Sequence, residues 1–139
     1  MNQLIKDRIF LLSKLNYFLI IILPITILIG SLISNAIIVL ISIIFVIDLI
    51  YRKNGFILRD KNFYFLIIIY LYLVFNSFFI SGHPEAPFKG IAFLRFILLS
   101  YAIYFYSKIF DYSFLKYWAI IFLIVSFDIV FEFFIGFNI

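Results

Sequence analysis

The sequence predicts an all-α, polytopic transmembrane protein with about five spans, and three observations predict it. Of 139 residues, 67% are hydrophobic and 13% charged, whereas a soluble domain carries about 25% charged and 45–50% apolar residues. A chain this short buries only a limited fraction of its surface, so the solvent for this much apolar area is lipid. The apolar residues also come in long runs split by short polar breaks. Finally, lysine and arginine gather in alternate breaks, as topology signals do.

The first apolar stretch runs from Tyr17 to Ile50. As one helix it would be roughly 50 Å long, too long for a single crossing. Its middle, "GSLISNA", holds the turn and cap residues Gly30, Ser31, Ser34 and Asn35. The expectation is a tight hairpin, Tyr17–Ile33 out and Ala36–Ile50 back, with a kink at Pro24. Both helices are short for a bilayer, so local thinning or a slant is expected. After a basic connection, Tyr64–Ile80 forms the third span, and "SGHPEAPFKG" reads as a loop. Ile91–Tyr106 and Tyr117–Ile135 are the fourth and fifth spans, all within one transmembrane domain, residues 1–139.

Orientation follows from the charges. Lys6, Arg8 and Lys14 precede the first span, and Arg52, Lys53, Arg59, Lys61, Lys108 and Lys116 flank the second and fourth connections. On the other side stand only Lys89 and, just inside a span, Arg95. The excess belongs to the cytoplasm, which puts the N-terminus inside and Ile139 outside. Tyr51, Tyr64, Tyr106 and Tyr117, near span ends, suit the membrane–water interface. In the first fourteen residues, Met1, Leu4, Ile5, Ile9 and Leu12 share a helical stripe. That stripe fits either a short helix on the inner leaflet or an extension of the first span.

The composition removes several function classes. Without cysteine there is no disulfide, thiolate nucleophile or cysteine metal site, and the single histidine, His83, builds no metal spacing. No metal or cofactor is expected. Phosphate-cradling glycine motifs are absent, so a soluble nucleotide-binding role has no support. The net charge of +4 sits between spans, which argues against a nucleic-acid partner. The partner read from composition is the bilayer.

Four ionisable groups lie within spans, where each is costly. Asp48 has Arg52 one helical turn away, a local pair. Arg95 lies roughly 7–8 Å below the outer boundary on this span assignment. It either snorkels to anchor its helix or, with Lys89, contacts a lipid or substrate phosphate. Asp128 and Glu132, at i and i+4, share one face about 12 and 6 Å from the outer boundary. The expectation is that they pair with Arg95 and pin the fourth span to the fifth. A catalytic acid–base dyad lacks a third group to complete it. Asn76, with Ser77 beside it, reads as an interhelical hydrogen-bonding residue.

The stretches "LPITILIGSLISNAIIVLISIIFVID", "LRFILLSYAIYF" and "DIVFEFFIGFNI" resemble the opening of the O-antigen ligase/polymerase family of bacterial inner-membrane proteins. The family's fifth span ends in a pattern like D-x-x-x-Q-x-x-x-G-x-N-x-x-G. Asp128, Gly136 and Asn138 fall on matching positions, while Glu132 stands where glutamine is usual. The resemblance covers the chain from about Ile9 onward. It implies a metal-independent glycosyltransferase scaffold of the GT-C type, in the inner membrane with its C-terminus periplasmic. Such enzymes act on undecaprenyl diphosphate-linked saccharides, with lipid A-core as acceptor for the ligases. The family's catalytic outer loop would lie beyond residue 139, so this chain is expected to be an N-terminal portion without activity of its own. The alternative is a small non-enzymatic accessory membrane protein, and part of a transporter ranks behind it.

Overall fold

The computed structural model describes residues 3–52 and 60–135. Its elements are six α-helices: α1 (Gln3–Ile29), α2 (Ser31–Arg52), α3 (Lys61–Phe79), α4 (Ala86–Ala92), α5 (Leu94–Ile109) and α6 (Phe114–Ile135). Five segments are long and apolar enough to cross a membrane: Asp7–Ile29, Ser31–Arg52, Lys61–Phe79, Ala86–Ile109 and Phe114–Phe134. The protein is therefore all-helical over the described residues, with the composition of a multi-pass membrane protein.

The boundaries correct the expected ones. The hairpin turns at Gly30, between Ile29 and Ser31, and not at Ser34 and Asn35 between the expected helices. Gly30 has φ 149°, a conformation that side-chain-bearing residues rarely adopt, and Ser31, Ser34 and Asn35 already belong to α2. The Ser34 hydroxyl bonds back to the Ser31 carbonyl, so polarity in "GSLISNA" is absorbed within the helix. The residues before Tyr17 continue α1 without a break from Gln3. At 27 residues, α1 is about 40 Å long, and α2 at 22 residues about 33 Å, so neither needs a thinned bilayer. The expected loop "SGHPEAPFKG" is helical from Ala86, because Pro87 sits in the first turn, where its missing N–H costs nothing. The fourth span is thus α4 plus α5, interrupted at Phe93.

Helix α1 runs through Pro24. Proline has no N–H to give the carbonyl four residues back, so the Ile20 carbonyl loses its helical partner. The Trp118 indole N–H supplies one from α6, at 3.0 Å. In an apolar solvent a freed carbonyl must find a donor, and this one fixes the register of α6 on α1.

The core belongs to α1, α2 and α5. Ile20, Ile41, Phe45, Ala102 and Tyr106 are almost completely buried there, with Phe45 against the rings of Tyr101, Phe105 and Tyr106. The buried face of α1 follows Ile9, Ser13, Asn16, Ile20 and Leu23, and that of α2 follows Ser34, Ile38, Ile41, Phe45 and Asp48, each spaced at three or four residues. Among the described residues α3 and α4 bury none, and α6 buries only Phe114. Helix α4 nonetheless lies tight against α3. A Cβ on Gly90 would come within 2.8 Å of the Ser77 Cβ and would overlap the Ser77 hydroxyl oxygen.

Candidate functional site

Two polar sites interrupt the apolar bundle. The first is at the end where Arg52, Lys61, Lys108 and Lys116 terminate or begin their helices. Asp48 is fully buried there, and three helices supply its donors. Arg52 Nε reaches Oδ1 at 2.9 Å, and the Tyr106 hydroxyl of α5 reaches Oδ2 at 2.7 Å. The Ser13 hydroxyl of α1 has one proton to share between Asp48 Oδ2, at 3.2 Å, and the Ile9 carbonyl, at 2.8 Å. Its oxygen accepts from Arg52 Nη2 at 2.6 Å. One turn on, Asn16 donates to the Ile41 carbonyl at 3.2 Å, while its Oδ1 is buried without a partner. Arg52 also lies over the Phe105 ring. The local Asp48–Arg52 pair read from the sequence is present, but it is one edge of a network joining α1, α2 and α5.

Beside this network Asp60 closes the start of α3. Its carboxylate accepts from the Asn62 backbone N–H at 3.0 Å and the Tyr101 hydroxyl at 2.9 Å. The Asn62 N–H, more than Tyr101, holds the Asp60 carboxyl below the usual carboxylate range, against a partial opposing effect of desolvation.

The second site is Arg95. Its carbonyl accepts from the Ser42 hydroxyl at 3.0 Å, which sets it level with the middle of α2. Ser42 is eleven residues from the start of α2, about 16 Å along the helix. Arg95 is therefore about twice as deep as the sequence reading placed it, because α4 adds to the fourth span. Its guanidinium lies over the Phe96 ring, and its Nε is buried with no acceptor. It lines two adjoining apolar grooves between α2 and α5.

The expected partners of Arg95 are elsewhere. Among the described residues no ion pair joins Arg95 to Asp128 or Glu132. Helix α6 packs on α1, not against the middle of α5. Trp118 is level with Ile20, so Asp128, ten residues further along, is level with Gly30 at the hairpin end. The backbones of Asp128 and Arg95 therefore differ in depth by about 16 Å. Asp128 is half-buried and Glu132 exposed on the bundle. Lys89 pairs with Glu85 at 3.0 Å, both largely exposed, so this contact adds little stability. Lys89 also borders a shallow groove with Asn76, Ser77 and Gly90, and His83 is exposed nearby. The Asn76 carbonyl accepts the backbone N–H groups of Ile80 and Ser81 and so closes the end of α3. Lys53, Arg59, Gly136 and Asn138 lie outside the described residues.

Ser13, Asn16, Asp60 and Tyr101 went unnoticed in the sequence, and Tyr106, expected at the membrane–water interface, is instead fully buried in the core. For Ser13 and Asn16 a signal existed: both fall on the stripe that begins at Ile9, as Asp48 does on the stripe of α2. No pattern within α5 alone marks Tyr106, whose hydroxyl matters only because α2 lies beside it. No family model, curated protein or solved structure matches this chain.

Proposed function

We propose that the chain is the membrane scaffold of an O-antigen ligase/polymerase-like glycosyltransferase, seated in a bacterial inner membrane with its N-terminus cytoplasmic. What carries the reading is the order of five apolar spans, the basic residues between alternate spans, and Asp128, Gly136 and Asn138 on the family pattern. The bundle supports a scaffold role in one further respect. Its packed centre is α1–α2–α5, and α3 and α6 keep broad apolar surfaces such as Phe65, Phe79, Leu123 and Phe133 for lipid or for further helices. Glu132 in place of glutamine weakens any role there that needs a neutral amide.

The orientation is directly testable, because a chain without cysteine accepts single cysteines for accessibility labelling. Phe110→Cys should label from the cytoplasmic side and His83→Cys from the periplasmic side; the reverse would overturn the topology. For the carrier, a photoreactive undecaprenyl diphosphate analogue in membranes containing the protein should be captured, and unlabelled undecaprenyl diphosphate should compete. Equal competition by undecaprenol would remove diphosphate recognition and leave a non-enzymatic accessory protein as the better reading.

A further inference from the structure

We propose that the groove between α2 and α5 holds an anionic phospholipid whose phosphate contacts Arg95. Arg95 borders both halves of this groove. On the hairpin side it faces Asn35, Ala36 and Val39; on the basic side the walls are Val46, Ile47 and Leu98. From Asn35 to Ile47 the groove is twelve residues of α2 long, about 18 Å, close to the thickness of one leaflet's hydrocarbon. Its free polar side chains are Arg95, bordering both halves, and Asn35 on the hairpin side, while the Ser42 hydroxyl on its wall is taken by the Ile38 and Arg95 carbonyls. That polarity matches a lipid with its head toward the hairpin end and an acyl chain along Val46, Ile47 and Leu98.

The charge identifies the head group. An arginine at this depth is costly unless something neutralises it. The other cation facing the core, Arg52, has its partners in Asp48 and Ser13. Among the described residues Arg95 has its cation–π contact with Phe96 and no acceptor for its Nε. Among the described residues the acids of α6 make no ion pair with it and lie further along the bundle. A phosphate drawn below the head-group plane along the groove, met by the Arg95 side chain extending toward the hairpin end, satisfies the planar fork and needs no protein carboxylate. A zwitterionic lipid also carries a phosphate, but its own cation competes with Arg95, so an anionic lipid is selected.

Native mass spectrometry of the full chain tests this. The protein is purified from membranes and reconstituted with equal parts phosphatidylglycerol and phosphatidylcholine, and the lipid that survives delipidation is identified. The wild type should keep one phosphatidylglycerol, and Arg95→Gln should hold it at least about tenfold more weakly, the loss expected for a charge-assisted contact. Should Arg95→Gln fold poorly, Ile43→Trp serves instead. It fills the groove from its exposed side, keeps Arg95 in place, and should lose the lipid as well. Lys89→Gln should retain it. Equal retention of the two phospholipids, undiminished binding by Arg95→Gln and Ile43→Trp, or displacement by equimolar undecaprenyl phosphate would each overturn the assignment. Displacement would make the groove a carrier site.

Discussion

Asp48 and Arg95 are both ionisable residues embedded in helices of an apolar bundle, and they are handled in opposite ways. Asp48 receives three donors from three helices and no solvent. Among the described residues Arg95 receives an aromatic face, and its Nε has no acceptor. A buried carboxylate that is fully hydrogen-bonded organises the helices that bond to it. A guanidinium left open at a lipid-facing groove organises nothing inside the chain and has its charge available to a ligand. The comparison separates a residue that holds the fold from one that reaches beyond it, although hydropathy flags both alike.

The sharpest way to break the comparison is to remove Asp48. Asp48→Ala leaves Arg52, Ser13 and Tyr106 facing each other without the acceptor they share. Loss of one partner from a buried pair costs about 3–5 kcal/mol, and the lower end applies because the Arg52 side chain is 23% exposed and can turn outward. Reversible unfolding in mixed micelles measures it.

Next in size is Gly90→Ala. The added methyl would overlap the Ser77 hydroxyl, so α4 must move off α3 at a cost of about 1–3 kcal/mol. Removing the Ser77 side chain as well should restore part of the loss, which an unrelated backbone defect at Gly90 would not permit.

Trp118→Phe keeps an aromatic ring against Phe114 but deprives the Ile20 carbonyl of its substitute donor. It should cost about 1–2 kcal/mol. In a Pro24→Ala background the substituted residue supplies its own backbone N–H to the Ile20 carbonyl, and the penalty should shrink toward zero.

The smallest effect is at Asp60, which is open to solvent. Its folded pKa is depressed, so its contribution is present above the unfolded carboxyl value of about 3.9 and disappears as pH falls through the folded value. Asp60→Asn should therefore be slightly less stable than the parent at pH 7 and equal to it in strong acid. A difference that grew toward low pH would contradict the Asn62 and Tyr101 contacts.

The number of spans was legible in the sequence because each is a long apolar run between polar breaks, and hydropathy measures that property. The ends were less legible, since serine, asparagine and lysine look like boundaries wherever they occur. Ser13 and Asn16 are buried on the inner face of α1, and Ser31 and Ser34 sit inside α2, so the first two spans are longer than their apolar cores. Pro87 was read as a loop residue when it starts a helix. The Asp48–Arg52 contact was legible because it is one turn of one helix. The neighbours of Arg95 were not. Asp128 and Glu132 looked suitable by depth from a presumed boundary, but the depth was offset by α4, and helix adjacency is written in no single helix. That adjacency was set instead by Pro24, Ile20 and Trp118.

The most direct test of the central claim is to measure Asp48→Ala and Arg95→Leu side by side, by reversible unfolding in a zwitterionic detergent without anionic lipid. The account predicts that Asp48→Ala loses about 3 kcal/mol and Arg95→Leu no more than about 1 kcal/mol for its Phe96 contact, since the Arg95 Nε has no acceptor among the described residues. A loss for Arg95→Leu as large as that for Asp48→Ala would show that Arg95 is held within the chain and would contradict its open state.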